Sequence, residues 1–67
     1  MVKIGENIRR ARKDKGLMQK QLAEILKVPH NTLSQWETGV CEPSVEMIIK
    51  IANALDVDAN FLFGFDN

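Results

Sequence analysis

Apolar residues recur along this chain at three- and four-residue spacing, interrupted by glycine, proline and short polar turns, and nowhere alternate with period two over a useful length. Ile4, Ile8 and Ala11 predict a first helix over about 3–15, with Gly16 where a left-handed C-terminal cap falls after Lys13 and Lys15. Leu22, Ile25 and Leu26 mark a second, from Gln19 to Lys27. A third carries Leu33 and Trp36, with Pro29 in its first turn, where a missing N–H costs nothing, and Gly39 closing it. Val40 to Pro43 form a connector, and Ser44 caps a fourth helix whose Val45, Ile48, Ile49, Ala52 and Leu55 form one apolar stripe, leaving Met47 and Ile51 off it. After a turn at Asp56 and Val57, Asp58 caps a short fifth helix with Phe61, Leu62 and Phe63, stopped by Gly64. The pattern predicts a compact all-α fold of five helices.

The third segment, VPHNTLSQWETG, carries a peculiarity. At about 100° per residue, Pro29, Leu33, Trp36 and Glu37 share one side while Asn31, Ser34, Gln35 and Thr38 share the other. A carboxylate beside Leu33 and Trp36 requires a partner. The opposite face is neutral yet built of groups that both donate and accept hydrogen bonds. Only two or three residues, Lys27, Val28 and at most Pro29, separate this helix from the second, a connection too tight for antiparallel packing, so the two must cross steeply as a helix-turn-helix over about 19–38. Leu22, Leu26, Leu33 and Trp36 then form the core of the crossing, Val28 plugs the turn, and Ala23 allows close passage.

Sixty-seven residues predict one domain, 1–67, near the size at which a single core only just outweighs chain entropy. With 45% hydrophobic and 27% charged residues the composition is that of an ordinary globular chain, and no run is apolar enough to cross a bilayer. The basic N-terminus lacks the apolar stretch of a secretory signal, so a cytoplasmic location is expected. Cys41 cannot form an internal disulfide and is expected to be buried or half-buried; with His30 it falls short of a metal site, so no metal and no cofactor are expected. No phosphate loop, carboxylate pair or activated nucleophile points to an enzyme.

The net charge of zero conceals a strong asymmetry. Residues 1–30 hold eight basic and three acidic side chains, whereas residues 31–67 hold only Lys50 against six acids. A basic half can approach a phosphate backbone while the acidic half faces away; a merely solvated helix face explains the same charges equally well.

The run GLMQKQLAEILKVPHNTLSQWETGVCEPS resembles the Xre-type, phage-repressor-like helix-turn-helix proteins, with QLAEIL and LSQWETG the specific matches, and the resemblance covers essentially the whole chain. It implies sequence-specific binding of double-stranded DNA by a transcriptional regulator of the repressor kind, with the third helix in the major groove. It also implies that Arg12 pairs with Glu37 and that Gln19 binds a phosphate. Asn31 and Gln35, one turn apart on the outward face, are the first candidates for base contacts, because a planar amide can bond N6 and N7 of adenine together. Ser34, Thr32 and His30 flank them, with His30 ranked lower because it lies nearer the second helix. Lys20, Arg10, Lys13 and Thr38 are candidates for phosphate contacts. Three features depart from the family pattern: Lys27 stands for a turn glycine, Met18 for a capping threonine, and the connector VCEP lacks the usual basic residue.

A competing reading is an antitoxin-like module that covers a toxin partner. Phe61, Phe63 and Phe65 crowd into a short terminal helix that can turn only one face inward, which points to a homodimer on a two-fold symmetric operator. No small-molecule ligand is evident, and the sequence is compatible with a piece of a longer protein.

Overall fold

The computed structural model describes residues 3–64 and contains five helices: α1 (Ile4–Asp14), α2 (Gln19–Leu26), α3 (His30–Thr38), α4 (Val45–Leu55) and α5 (Ala59–Phe63). No strand occurs among the described residues. Helices α1 to α3 are each slightly shorter than the pattern predicts, and Pro29 is the N-cap of α3, not part of its first turn. Ser44 Oγ accepts the Met47 N–H and Asp58 Oδ1 accepts the Asn60 N–H, so both predicted side-chain caps are in place.

The helices end alike. At each C-terminus stands a residue with positive φ: Gly16, Lys27, Gly39, Asp56 and Gly64. After α1, α2, α3 and α4 the next N–H reaches back five residues, as in Leu17 N to Arg12 O (3.1 Å) and Val28 N to Ala23 O (3.0 Å), which reverses the chain and satisfies carbonyls the helix leaves open. Glycine adopts this conformation freely; Lys27 and Asp56 adopt it against a Cβ clash of roughly 1–2 kcal/mol.

The core joins Ile8 and Ala11 of α1, Leu22, Ala23 and Leu26 of α2, Leu33 and Trp36 of α3, Ile48, Ile51, Ala52 and Leu55 of α4, and Leu62 of α5. Helix α1 lies against α3, α4 and α5, while α2 packs on α3 and α4. Three expectations are corrected here. The buried stripe of α4 runs through Ile48, Ile51, Ala52 and Leu55; Ile51 is fully buried, whereas Val45 and Ile49 are exposed. Ile25 of α2 is exposed as well. Both sets fit helical spacing, and the choice was made by where α1, α2 and α5 stand. Cys41, expected to be at least half-buried, is exposed.

Phe61 and Phe63 are half-buried against the core, and Phe65 lies outside the described residues. Asn7 donates from Nδ2 to the carbonyls of Phe61 (3.1 Å) and Leu62 (3.3 Å), tying α1 to α5. At its other neighbour α1 makes a closer approach: a Cβ on Gly5 would collide with the Trp36 carbonyl oxygen and stand 2.8 Å from that of Glu37. The first turn of α1 thus meets the last turn of α3, where the opposite ends of two helix dipoles attract.

Substitutions at Lys27 and Gly5 should therefore act in opposite directions. Lys27→Gly relieves the clash at positive φ at the cost of some unfolded-chain entropy, for a net gain of up to about 1 kcal/mol. Gly5→Ala overpacks the α1–α3 contact and should lose about 1–3 kcal/mol. Urea midpoints of the two variants check both signs; a destabilised Lys27→Gly would mean the turn draws on the lysine side chain.

Candidate nucleic-acid interface

Glu37 sits at the end of α3 on its inner side and is 7% exposed; Arg12, in the last turn of α1, is 8% exposed. Their contact is bidentate. Arg12 Nε donates to Glu37 Oε2 at 2.8 Å and Nη2 to Oε1 at 3.1 Å, while Nη1 donates to the Leu17 carbonyl at 2.9 Å. Two planar groups meeting edge to edge fix angle as well as distance, so the pair sets the rotation of α3 relative to α1. No buried side-chain nitrogen or oxygen among the described residues lacks a partner.

The carboxylate takes a third hydrogen bond, from Gln19 Nε2 at 3.1 Å to Oε1. Gln19 Oε1 lies 2.7 Å from His30 Nε2. A continuous polar chain therefore runs from α1 through α3 and the first residue of α2 to the first residue of α3, from buried to exposed. Spacing along the sequence does not indicate the Gln19–His30 contact, since the two residues meet only because α2 and α3 cross. Gln19 keeps one Nε2 hydrogen beyond the bond to Glu37, which a phosphate oxygen can accept. At the start of α2, Gln21 Oε1 accepts the Met18 N–H at 2.7 Å, so the side chain three residues further on serves this N–H where Met18 offers no capping oxygen.

On the outer side of α3, His30, Asn31, Gln35 and Thr38 are exposed and Thr32 and Ser34 are half-buried. Cys41 Sγ donates weakly to Gln35 Oε1 at 3.8 Å, a contact that leaves both amide hydrogens of the exposed Gln35 unused. Thr38 Oγ1 donates to the carbonyls of Ser34 (3.0 Å) and Gln35 (3.3 Å); a phosphate, which only accepts, would have to displace these bonds. Arg10, Lys13 and Lys20 are exposed. The surface offers hydrogen-bonding groups without formal charge along α3, with cations on α1 and α2. No group of three or more metal-ligating side chains occurs among the described residues, and no described helix is long and apolar enough to cross a membrane.

The sequence pattern of the family described as helix-turn-helix matches residues 8–62. The chain is 32% identical over 63 residues to the HTH-type transcriptional regulator ImmR of Bacillus subtilis (strain 168), covering 94% of this chain and 50% of that protein. It is 39% identical over 62 residues to the HTH-type transcriptional regulator DicA of Escherichia coli (strain K12), covering 91% of this chain and 46% of that protein. The chain thus spans about half the length of the curated relatives it matches. Its structure superimposes on the crystal structure of the restriction-modification controller protein C.AhdI from Aeromonas hydrophila with a TM-score of 0.84 and 35% identity, over 92% of this chain and 94% of that one.

Removing Glu37 tests the ion pair directly. Glu37→Ala leaves the Arg12 guanidinium buried without its partner, at a cost of roughly 3–5 kcal/mol. In a chain of this size that corresponds to a fall in Tm of about 10 °C or more, measurable by thermal circular dichroism. A change of a degree or less would show that the pair is peripheral.

Proposed function

Because the chain belongs to the helix-turn-helix family whose pattern spans residues 8–62, we propose that it is the sequence-specific DNA-binding domain of a transcriptional regulator, a repressor acting in the cytoplasm. The observation that carries this reading is the face of α3. Side chains that both donate and accept stand outward on a helix whose rotation is fixed by a buried bidentate pair. A surface of that kind discriminates by hydrogen-bond pattern, which is what base edges in the major groove offer. The relatives named as transcriptional regulators support the same reading.

In this reading α3 enters the major groove. Asn31 and Gln35 contact base edges, with Thr32, Ser34 and His30 beside them. Gln19 uses its remaining amide hydrogen on a phosphate, at the start of α2 where helix N–H groups already favour an anion. Lys20, Arg10 and Lys13 contribute attraction that does not depend on sequence. The two kinds of contact separate experimentally. Selection of bound sites from a random DNA pool gives the preferred sequence. On that site Gln35→Ala should lose about 1–3 kcal/mol and relax one position per half-site, whereas Lys20→Ala should weaken binding to every sequence and shallow its salt dependence. If Asn31→Ala and Gln35→Ala leave both the selected site and its affinity unchanged, the face of α3 is ordinary solvated surface and the reading fails.

One helix-turn-helix unit reads few base pairs, and two copies gain specificity by joining half-sites about one helical turn apart. The chain acts as a homodimer on a two-fold symmetric operator, through the α5 end where Phe61 and Phe63 each keep part of the ring accessible and Phe65 follows. Phe65→Asp should shift the sedimenting species at high protein concentration from dimer towards monomer and lower the affinity for a two-half-site operator. Unchanged mass and affinity would remove this assembly.

A further inference from the structure

The polar chain that begins at Arg12 has a direction, and that direction reaches the surface. A carboxylate only accepts hydrogen bonds, so Gln19 must turn its NH2 group to Glu37 Oε1 and its carbonyl Oε1 to His30. The opposite orientation of the amide would set two acceptors against each other. Gln19 Oε1 in turn only accepts, so His30 Nε2 carries a hydrogen and donates it across 2.7 Å. In a neutral imidazole the other nitrogen, Nδ1, is then a lone pair. His30 is exposed at the first residue of α3, and no described side chain or backbone group is hydrogen-bonded to that nitrogen.

We infer that His30 is a specificity-determining residue that presents an acceptor to the major groove and selects a base with an exocyclic amine, adenine or cytosine, and that Glu37 and Gln19 are the positioning residues that set this polarity. The inference rests on the DNA-binding reading above and sharpens it. Adenine N6 and cytosine N4 donate into the major groove, while guanine N7 and O6 and thymine O4 only accept and would oppose the Nδ1 lone pair. A histidine with both nitrogens protonated would have the reverse preference, so the assignment separates two opposite sites. Because the determining charge is Glu37, buried on the inner side of α3, a residue that never touches DNA governs the choice of base. One hydrogen bond of ordinary strength amounts to about two- to ten-fold discrimination at that position.

The test has two arms, both run at a pH high enough to leave the imidazole neutral. Long-range proton–nitrogen NMR on the free full chain locates the imidazole hydrogen. Wild type should hold it on Nε2, and Gln19→Ala, folded by circular dichroism, should show a mixture of both tautomers. A hydrogen on Nδ1 in wild type, or a tautomer ratio unmoved by Gln19→Ala, overturns the inference even if the DNA-binding reading stands. In the second arm, sites are selected from random DNA with wild type, His30→Ala and Gln19→Ala. The position that loses its preference in His30→Ala should be adenine or cytosine in wild type, and Gln19→Ala should lower that preference two- to ten-fold while leaving the other positions unchanged. Loss of the phosphate contact of Gln19 lowers affinity for every sequence alike and does not bear on this preference; guanine or thymine there, no position altered by His30→Ala, or a preference at that position unchanged in Gln19→Ala would each overturn the inference. Absence of any sequence preference in wild type would instead overturn the function proposed above, and the base assignment with it.

Discussion

The buried pair of Arg12 and Glu37 fixes the geometry on which the other features of this chain depend. Apolar contacts among Leu22, Leu33, Ile51 and Leu62 hold the helices together but are non-directional, and a core of this kind tolerates small rotations of one helix over another. The bidentate contact does not. Its two hydrogen bonds require the guanidinium and carboxylate planes to meet edge to edge, and the third guanidinium contact, to the Leu17 carbonyl, ties the same arginine to the turn before α2. Burying two charges carries a desolvation cost that apolar residues of equal volume would avoid, so the pair's contribution lies in orientation more than in stability.

Helix α1 meets Glu37 twice, once through the carboxylate by Arg12 and once at the backbone, where the lack of a side chain on Gly5 lets α1 approach the carbonyls of Trp36 and Glu37. These contacts lie two turns apart along α1, so they act as a lever pair against tilt as well as rotation. The repeated chain reversals at Gly16, Lys27, Gly39 and Asp56 supply the remaining constraint. Each is set by local hydrogen bonds, and three of the residues that follow them, Leu17, Val28 and Val57, turn inward and are half-buried against the core. Short connections thus fix where each helix begins, and α1 fixes how α3 is turned.

The number and type of helices, both side-chain caps and the inner face of α3 were legible in the sequence, because they depend on periodicity and on local hydrogen bonding. The buried face of α4 was not. Ile48, Ala52 and Leu55 belong to both possible stripes; whether Ile51 or Ile49 joins them depends on which side α1, α2 and α5 occupy, and that is tertiary information. The positive φ of Asp56 escaped for a related reason, since aspartate gives no signal as strong as glycine. Gly5 does stand out as a poor helix former, but only the proximity of the α3 carbonyls explains it. At the candidate interface the exposed side chains of α3 follow from helical geometry alone. The Gln19–His30 contact does not, because it spans a crossing whose angle is set by Arg12 and Glu37.

This division between buried charge and neutral surface explains how a chain of zero net charge can suit a polyanionic partner. The only charge on α3 is Glu37, and it is neutralised inside by Arg12, so the helix brings no exposed carboxylate towards phosphate. The cations lie mostly in the first thirty residues and are exposed there, with the exception of Arg12. Attraction that falls off over a Debye length and ignores sequence then comes from α1 and α2, while short-range discrimination comes from the uncharged groups of α3. A cation on the reading face would add affinity for any duplex and dilute the difference between right and wrong sites. Placing Arg12 beneath α3 instead turns a charge into orientation, and orientation is what hydrogen-bond discrimination requires.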